Sequence, residues 1–390
     1  MDPVMLPMFF YKAVYYIVRG DVFKKGPIRW FLHKTHQIPM FRMRDGLENV
    51  KRNDTTFDHC YNLLRDNNII MIFSEGDCVQ EKHLRPLQKG TARMAFGAVE
   101  KYGWDIDLQV QVSSVNYTHP SKFRTEVMVV LGDAFPISSY RQMYEESPAL
   151  AIREVTADIE RRIKEIYIAL EDRRDMDLFE LLVPLVRSGL PRPLFPWVSK
   201  SFARIDSERN LADLINKTRK EEPKLLESTV KEAEEYHTQL KQLKLSDSVF
   251  GVNRPRLLYG TVAGFVGFPF FAVGYLYNIA AYRWVEGFLA RNIKDVIFVN
   301  SVRLLVFFVV IAAQSAVLTS LVAFIWGWWA IWVIPMAFIV SWMAINYYEF
   351  MAEVEYAWRW ALTKRRKPDS AAALQSMRSA LLSFIERPHR

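Results

Sequence analysis

Two stretches without a charged side chain, residues 257–282 and 304–348, constrain this chain more than any other feature. A helix rises ~1.5 Å per residue and about 20 apolar residues cross a bilayer's hydrocarbon core. The first stretch is therefore long enough for one pass and the second for two. Basic residues bracket both: Arg254 and Arg256 before the first, Arg283, Arg291, Lys294 and Arg303 between, Lys364, Arg365, Arg366 and Lys367 after the second. The tendency of Lys and Arg to stay cytoplasmic wants all three groups on one side. That predicts a helical hairpin over 304–348 and favours a re-entrant or in-plane segment over a true span for 257–282. Gly260, Gly264, Gly267 and Pro269 give the first stretch places to bend. Trp326, Trp328, Trp329 and Trp332 are then expected at the far interface as an aromatic belt.

The rest of the chain is organised around residues 69–93, IIMIFSEGDCVQEKHLRPLQKGTAR. The apolar, β-branched run at 69–73 reads as a buried strand that stops at Ser74-Glu75-Gly76. After a charged excursion come Lys89-Gly90-Thr91 and the apolar start of a helix. A carboxylate, a cation and a permissive glycine within one connection make a strand–loop–helix site suited to a small polar anion.

Here the sequence resembles a family. Phe73-Ser74-Glu75-Gly76 followed by Leu87-Gln88-Lys89-Gly90-Thr91 is similar to the FPEG…KxG block of the glycerolipid acyltransferases, which acylate glycerol 3-phosphate or its lysophosphatidate product. Residues 19–25, RGDVFKK, and Ile38-Pro39-Met40-Phe41-Arg42 resemble the segments between that family's first and third motifs. Asp2-Pro3 resembles the end of its first motif, in which a His precedes the Asp. Residues 108–117 look like its fourth, a buried strand expected to continue through Gln111. Two positions depart from the family, Ser74 and Gln111, each standing where proline is usual.

The resemblance implies roles. A His would act as general base on the acceptor hydroxyl, and Asp2 would orient it. That His would lie upstream of Met1, so the expectation is a preceding piece of chain, the other reading being a chain that has lost its base. Without the base, Asp2 reads as the N-cap of a helix from Val4. Arg42 would hold the acceptor phosphate, its guanidinium fork pairing two oxygens at once, the alternative being a salt bridge to Asp45 or Glu48. Glu75, turned by Gly76, would bind glycerol hydroxyls and Lys89 would add a phosphate contact, whereas the bland reading pairs Glu75 with Arg42 or Lys89. The donor would be acyl-CoA or an acyl-carrier protein, with no cofactor and no metal.

The remaining pattern predicts an α/β fold: strands at 13–18, 37–43 and 127–132, a helix at 54–66 capped by Asp54, and a mostly parallel sheet with helices on both faces. Between the first strands, Trp30, Phe31 and Leu32 alternate with Lys24, Lys25, Arg29 and Lys34. That mixture suits lipid headgroups or an acidic acyl carrier, or else a helix packed on the sheet by its aromatics. His33 and His36 are candidate replacement bases but have no carboxylate at a suitable offset. Amphipathic stripes follow at Ile152, Val155, Ile159, Ile163, Ile166 and Leu170, and at Leu226, Val230, Ala233, His237 and Leu240. The domains are therefore an acyltransferase α/β domain at 1–147, incomplete at its N-terminus, an amphipathic helical region at 148–250, membrane segments at 251–348 and a basic cytoplasmic tail at 349–390.

Composition agrees with a membrane setting. Hydrophobic residues make up 51%, with 11 Trp and 26 Phe, more than a soluble two-domain chain needs. The formal charge of +8 suits an anionic surface or acidic carrier, and no nucleic-acid motif accompanies it, so no nucleic acid is expected as a partner. Cys60 and Cys78 have no metal-ligand spacing and fit a reducing compartment. The expected protein is thus an integral membrane acyltransferase of phospholipid biosynthesis, its catalytic domain cytoplasmic, acting on 1-acyl-glycerol 3-phosphate. Glycerol 3-phosphate or dihydroxyacetone phosphate is the alternative acceptor, and a non-catalytic lipid-binding membrane protein the reading from another class. A transporter fits poorly, since the apolar stretches hold no ionisable residue.

Overall fold

The structure, a computed structural model, describes residues 10–24, 26–41, 48, 53–76, 81–118, 126–188, 190, 203–251, 254–293 and 296–387. The chain divides into two compact units, Met1–Ala169 and Leu170–Arg390.

In the first unit, β1 (Val14–Arg19), β2 (Gln37–Met40) and β3 (Ile69–Met71) form a parallel sheet in the order β2-β1-β3. Helices α1 (Gly26–Lys34) and α2 (Asn53–Arg65) supply the crossovers that parallel strands require. Pro39 is tolerated because β2 is an edge strand of this sheet. Alternation along β1 sends Tyr15 and Ile17 to a cluster with Ile38, Cys60 and Met94. Helix α3 (Gly90–Tyr102) is buried on more than one side, with Met94 in that cluster and Ala92, Ala95, Phe96 and Val99 in a second one. Gly97 lets α2 approach α3, since an added Cβ would collide with the Tyr61 hydroxyl. Helix α4 (Pro148–Ile166), grouped by composition with the helical region, packs here through Ala151, Val155 and Ile159. Its end is pinned by Ser114 Oγ, which donates to Ile166 O at 2.7 Å, and by Asn116 Oδ1, which accepts from Ile168 N at 3.0 Å.

The sheet is smaller than the sequence pattern implies. Besides the parallel strands, the described residues form two antiparallel pairs, β4 (Gln109–Val110) with β7 (Phe135–Pro136) and β5 (Ser113–Tyr117) with β6 (Val127–Leu131). The single strand expected at 108–117 is broken at Gln111-Val112, because its halves pair with different strands. At the break Gln111 Nε2 donates to Gly132 O at 3.0 Å, and Gly132 N donates to Val112 O at 2.9 Å.

The second unit begins with α5 (Met176–Val186), α6 (Ala203–Glu221) and α7 (Pro223–Gln242). The inner stripe of α7 is Leu226, Thr229, Ala233, Tyr236 and Leu240, so Tyr236 takes the inward position and the neighbouring His237 is only partly buried. Buried acids in this unit are paired, as buried charge requires. Glu208 pairs with Arg187, Arg219 Nε donates to Asp175 at 3.0 Å, and Asp247 accepts from Tyr236 Oη at 2.5 Å and Arg378 Nε at 2.8 Å. Burial, and then the Asp247 charge, push the Tyr236 hydroxyl pKa far up. Arg378 lies on α11 (Pro368–Ile385), whose Leu374 and Leu381 are fully buried. The later part of the stretch read as a basic tail, Pro368–Ile385, is a packed helix.

Between them run α8 (Arg254–Asn292), α9 (Val296–Trp326) and α10 (Val333–Arg366). Leu257–Asn292 and Val302–Arg366 are long and apolar enough to cross a membrane, the latter including the turn Gly327–Trp332. Only 22% and 6% of their most apolar windows are buried in the protein, so these are not core helices of a soluble fold. The stretch favoured above as re-entrant or in-plane is one unbroken helix of 39 residues, about 58 Å long. Its glycines serve as packing notches: Gly260 meets Val354, Gly264 meets Met351, Gly267 meets Tyr347 and Gly274 meets Val340, an antiparallel pairing of α8 with α10. A polar layer joins α8 to both neighbours, with Tyr277 Oη 2.7 Å from Ser315 Oγ and Asn278 Nδ2 donating to Ser341 Oγ at 2.8 Å. Trp326, Trp328, Trp329 and Trp332 are exposed around the α9–α10 turn, where Gly327 adopts a φ of +59°.

Candidate functional site

All three parallel strands end at one edge of their sheet. Register places Arg19 opposite Met40, and Tyr16 opposite Met71, so the chain after each strand emerges at that edge. In open α/β sheets this is where ligands bind.

Two contacts fix the ends of β1 and β2. Phe41 N donates to Asn53 Oδ1 at 2.9 Å while Asn53 Nδ2 donates to Phe41 O at 2.8 Å, so the first residue of α2 clamps both backbone groups of Phe41. The Phe41 ring lies where a Cβ on residue 20 would be, and only glycine at Gly20 allows that approach. Arg42, the next residue, lies outside the described residues, as do Asp2, Arg44 and Asp45. Arg19 was not singled out by the sequence reading, although an Arg closing the first strand was the signal for it. It holds Asp21 through two bonds, Nε at 3.1 Å and Nη2 at 2.6 Å.

After β3 the chain turns tightly. Gly76 has a φ of +69°, a region that favours glycine, and its N donates to Phe73 O at 3.0 Å. Ser74 O accepts from Gln88 N at 2.7 Å, and Ser74 Oγ lies 2.8 Å from Thr91 Oγ1. Those bonds tie the chain leaving β3, which bears Glu75, to the start of α3, which bears Lys89. Lys89 is exposed at the start of α3, where unpaired backbone N–H groups and the helix dipole favour an anion. Residues 81–85 are tied down: Lys82 Nζ donates to Tyr117 O at 2.8 Å, Tyr167 Oη donates to Glu81 O at 2.9 Å, and Arg85 lies 3.7 Å from Glu81.

Glu75 is half-buried, and burial raises its carboxyl pKa, with the nearby Arg85 and then His83 drawing it back. Among the described residues no ion pair joins Glu75 to Lys89; the side chains that act on it are Arg85 and His83. His36 stacks on Tyr15 with ring centroids 4.7 Å apart, and His33 meets the Phe23 ring at 5.3 Å. Neither is bonded to a carboxylate among the described residues. The Cys60 thiol is fully buried and burial pushes its pKa to about 12, which makes it a packing group. No cluster of His, Cys, Asp or Glu among the described residues is arranged to hold a metal ion.

Chemically, the edge holds a half-buried carboxyl able to exchange hydrogen bonds and a helix start whose N–H groups and neighbouring Lys89 suit an anion. A family model described as Acyltransferase matches residues 1–117. Glycerol-3-phosphate O-acyltransferase 1 of Saccharomyces cerevisiae is 25% identical over 232 residues, covering 57% of this chain and 28% of that protein. Glycerol-3-phosphate O-acyltransferase 2 of the same organism is 28% identical over 141 residues, covering 35% of this chain and 18% of that protein. The matched segments thus span less than a third of either relative. No solved structure matches the chain.

Proposed function

We propose, from the membership of residues 1–117 in the glycerolipid acyltransferase family, that the protein is a membrane-bound O-acyltransferase acting on a glycerol phosphate. The acceptor hydroxyl attacks the carbonyl of an acyl thioester, carried by coenzyme A or an acyl-carrier protein. A C–O ester bond forms and the C–S bond breaks. The hydroxyl proton passes to a general base and returns to the departing thiolate, and Asp2, by its resemblance to the end of the family's first motif, is the residue that would orient that base. Thioester transfer of this kind needs no further cofactor. Arg42 and Lys89 hold the phosphate, with Arg19 at the same edge, and Glu75 accepts hydrogen bonds from the glycerol hydroxyls.

The observation that carries this reading is the tie through Ser74 between the β3 exit that bears Glu75 and the start of α3 that bears Lys89, next to the strand ends that lead to Arg19 and Phe41. The free acceptor and its 1-acyl derivative share the headgroup those residues suit. The sequence alone puts 1-acyl-glycerol 3-phosphate first, for phospholipid synthesis, while the names of the two yeast relatives weigh toward glycerol 3-phosphate. The apolar helices hold the enzyme in the membrane with its acyltransferase domain on the cytoplasmic side, where both donors occur.

The test is thiol release from acyl-CoA or acyl-carrier protein by protein purified from its own membranes and placed in nanodiscs, with each acceptor offered in turn. Acceptor-dependent release with one of them is expected, and the faster acceptor names the substrate. Lipid binding without thiol release from any pair would overturn the enzymatic reading.

A further inference from the structure

The exposed face of α1 is left unexplained by the acyl-transfer site. Trp30 and Phe31 are 66% and 49% exposed, large values for aromatic side chains on a helix that links two strands of a sheet. Gly26, Arg29, Trp30, His33 and Lys34 line one shallow hollow on its surface. That spacing places Arg29, Trp30, His33 and Lys34 on a single helical stripe, with Phe31 about 100° round the helix from Trp30. Residues 22–36 contain no acidic residue, and Asp21 just before them is held by Arg19.

We propose that this face of α1 docks on an anionic phospholipid bilayer, with Trp30 at headgroup depth, Phe31 at the margin of the face, and Arg29 and Lys34 against lipid phosphates. Trp at the interface flanked by snorkelling cations is what such a surface needs. Charge complementarity alone would also admit an acidic protein. A stable protein interface, however, takes about 800 Å² from each partner, which one face of a nine-residue helix does not supply. A bilayer makes no such demand, and the apolar helices of the same chain keep one within reach, so that a weak contact suffices. The location has a consequence for the site. Helix α1 follows β1 through the 3-10 turn Gly20–Lys24, so it starts at the sheet edge that carries Arg19 and Glu75. Docking through α1 sets that edge at the headgroup layer, where an acylated product enters the membrane.

The experiment places a nitroxide on the hollow without touching the anchors. Gly26→Cys suits it, because an added Cβ there meets nothing within 4 Å. The full chain, with Cys60→Ala and Cys78→Ala, is labelled and reconstituted in nanodiscs of phosphatidylcholine with or without phosphatidylglycerol. Its accessibility to oxygen and to a water-soluble nickel chelate is read by power saturation. The oxygen-to-nickel ratio is expected to rise several-fold in the anionic discs, and to fall back in Trp30→Ser and in Arg29→Glu/Lys34→Glu with no change in thermal unfolding. A ratio that matches a label at exposed Asp105 in both kinds of disc overturns the proposal. So does a ratio that changes only when an acidic carrier protein is added, which would give the face to a protein partner. No turnover is needed for the readout, so the result stands apart from the acyltransferase assignment.

Discussion

Ser74 Oγ lies 2.8 Å from Thr91 Oγ1, joining the chain that leaves β3 to the first turn of α3. Proline, usual at this point in the resembling family, restricts its own φ but has no hydroxyl to make such a bond. Here the aim of Glu75 is fixed by a tether instead, reinforced by Gln88 N on Ser74 O. Ser74→Ala and Thr91→Ala are each expected to cost about 1 kcal/mol of stability, and the double variant little more than either alone. Thermal unfolding of the four proteins in one detergent measures this. Additive losses would mean that the hydroxyls do not meet.

Glu75→Gln separates function from stability. Burial raises the Glu75 carboxyl pKa above its unfolded value, so the ionised group opposes folding above the raised pKa and is neutral below the unfolded one. Replacing it with Gln removes that opposition at neutral pH. The variant should melt no lower than its parent at pH 7, yet lose about 10- to 100-fold in kcat/KM, the equivalent of one charge-assisted hydrogen bond. The parent's activity should decline on acidification at a pH above the ordinary carboxylate range. Undiminished turnover by Glu75→Gln would remove the carboxylate from acceptor recognition.

Arg42→Ala should raise the acceptor's apparent KM by about 10- to 100-fold and leave the donor's unchanged, because the guanidinium is assigned to the phosphate alone. Arg42→Lys should recover part of the loss, since a point charge replaces the fork. Steady-state kinetics with each substrate varied in turn decide the matter. An effect confined to the donor would move Arg42 out of the acceptor site.

The strand–loop–helix around Glu75 was legible because an apolar run, a turn and a helix start are local signals that residues 69–93 spell in order. What was hidden depended on distant partners. The break at Gln111 arises because β4 and β5 pair with different strands, which no local period records. Arg19 reads as an ordinary strand-end cation until the parallel register brings it to the same edge as Glu75. Tyr236 and His237 are neighbours on one helix, and only the partner Asp247 selects the tyrosine for the inside. Glycine carries the greatest ambiguity, since Gly260, Gly264 and Gly267 suit a bend or a close helix contact equally well until the facing helix is known.

That ambiguity has a direct test in α8. A Cβ on residue 274 would run into the Val340 carbonyl oxygen and the Ala344 methyl, backbone and short side chain that have no other rotamer to adopt. A Cβ at Gly287, on the same helix, meets nothing within 4 Å. Alanine is intrinsically better than glycine in a helix by about 1 kcal/mol. Gly287→Ala is therefore expected to stabilise the protein by up to about 1 kcal/mol. Gly274→Ala must push α8 away from α10 and should instead cost about 1–3 kcal/mol, as overpacking does elsewhere. Unfolding in mixed micelles of rising denaturing-detergent content reads both. Opposite signs would establish the close α8–α10 pairing, and with it a continuous helix through 257–282. Equal stabilisation by both substitutions would mean that Gly274 faces open space and that the stretch is free to bend as the charge pattern suggests.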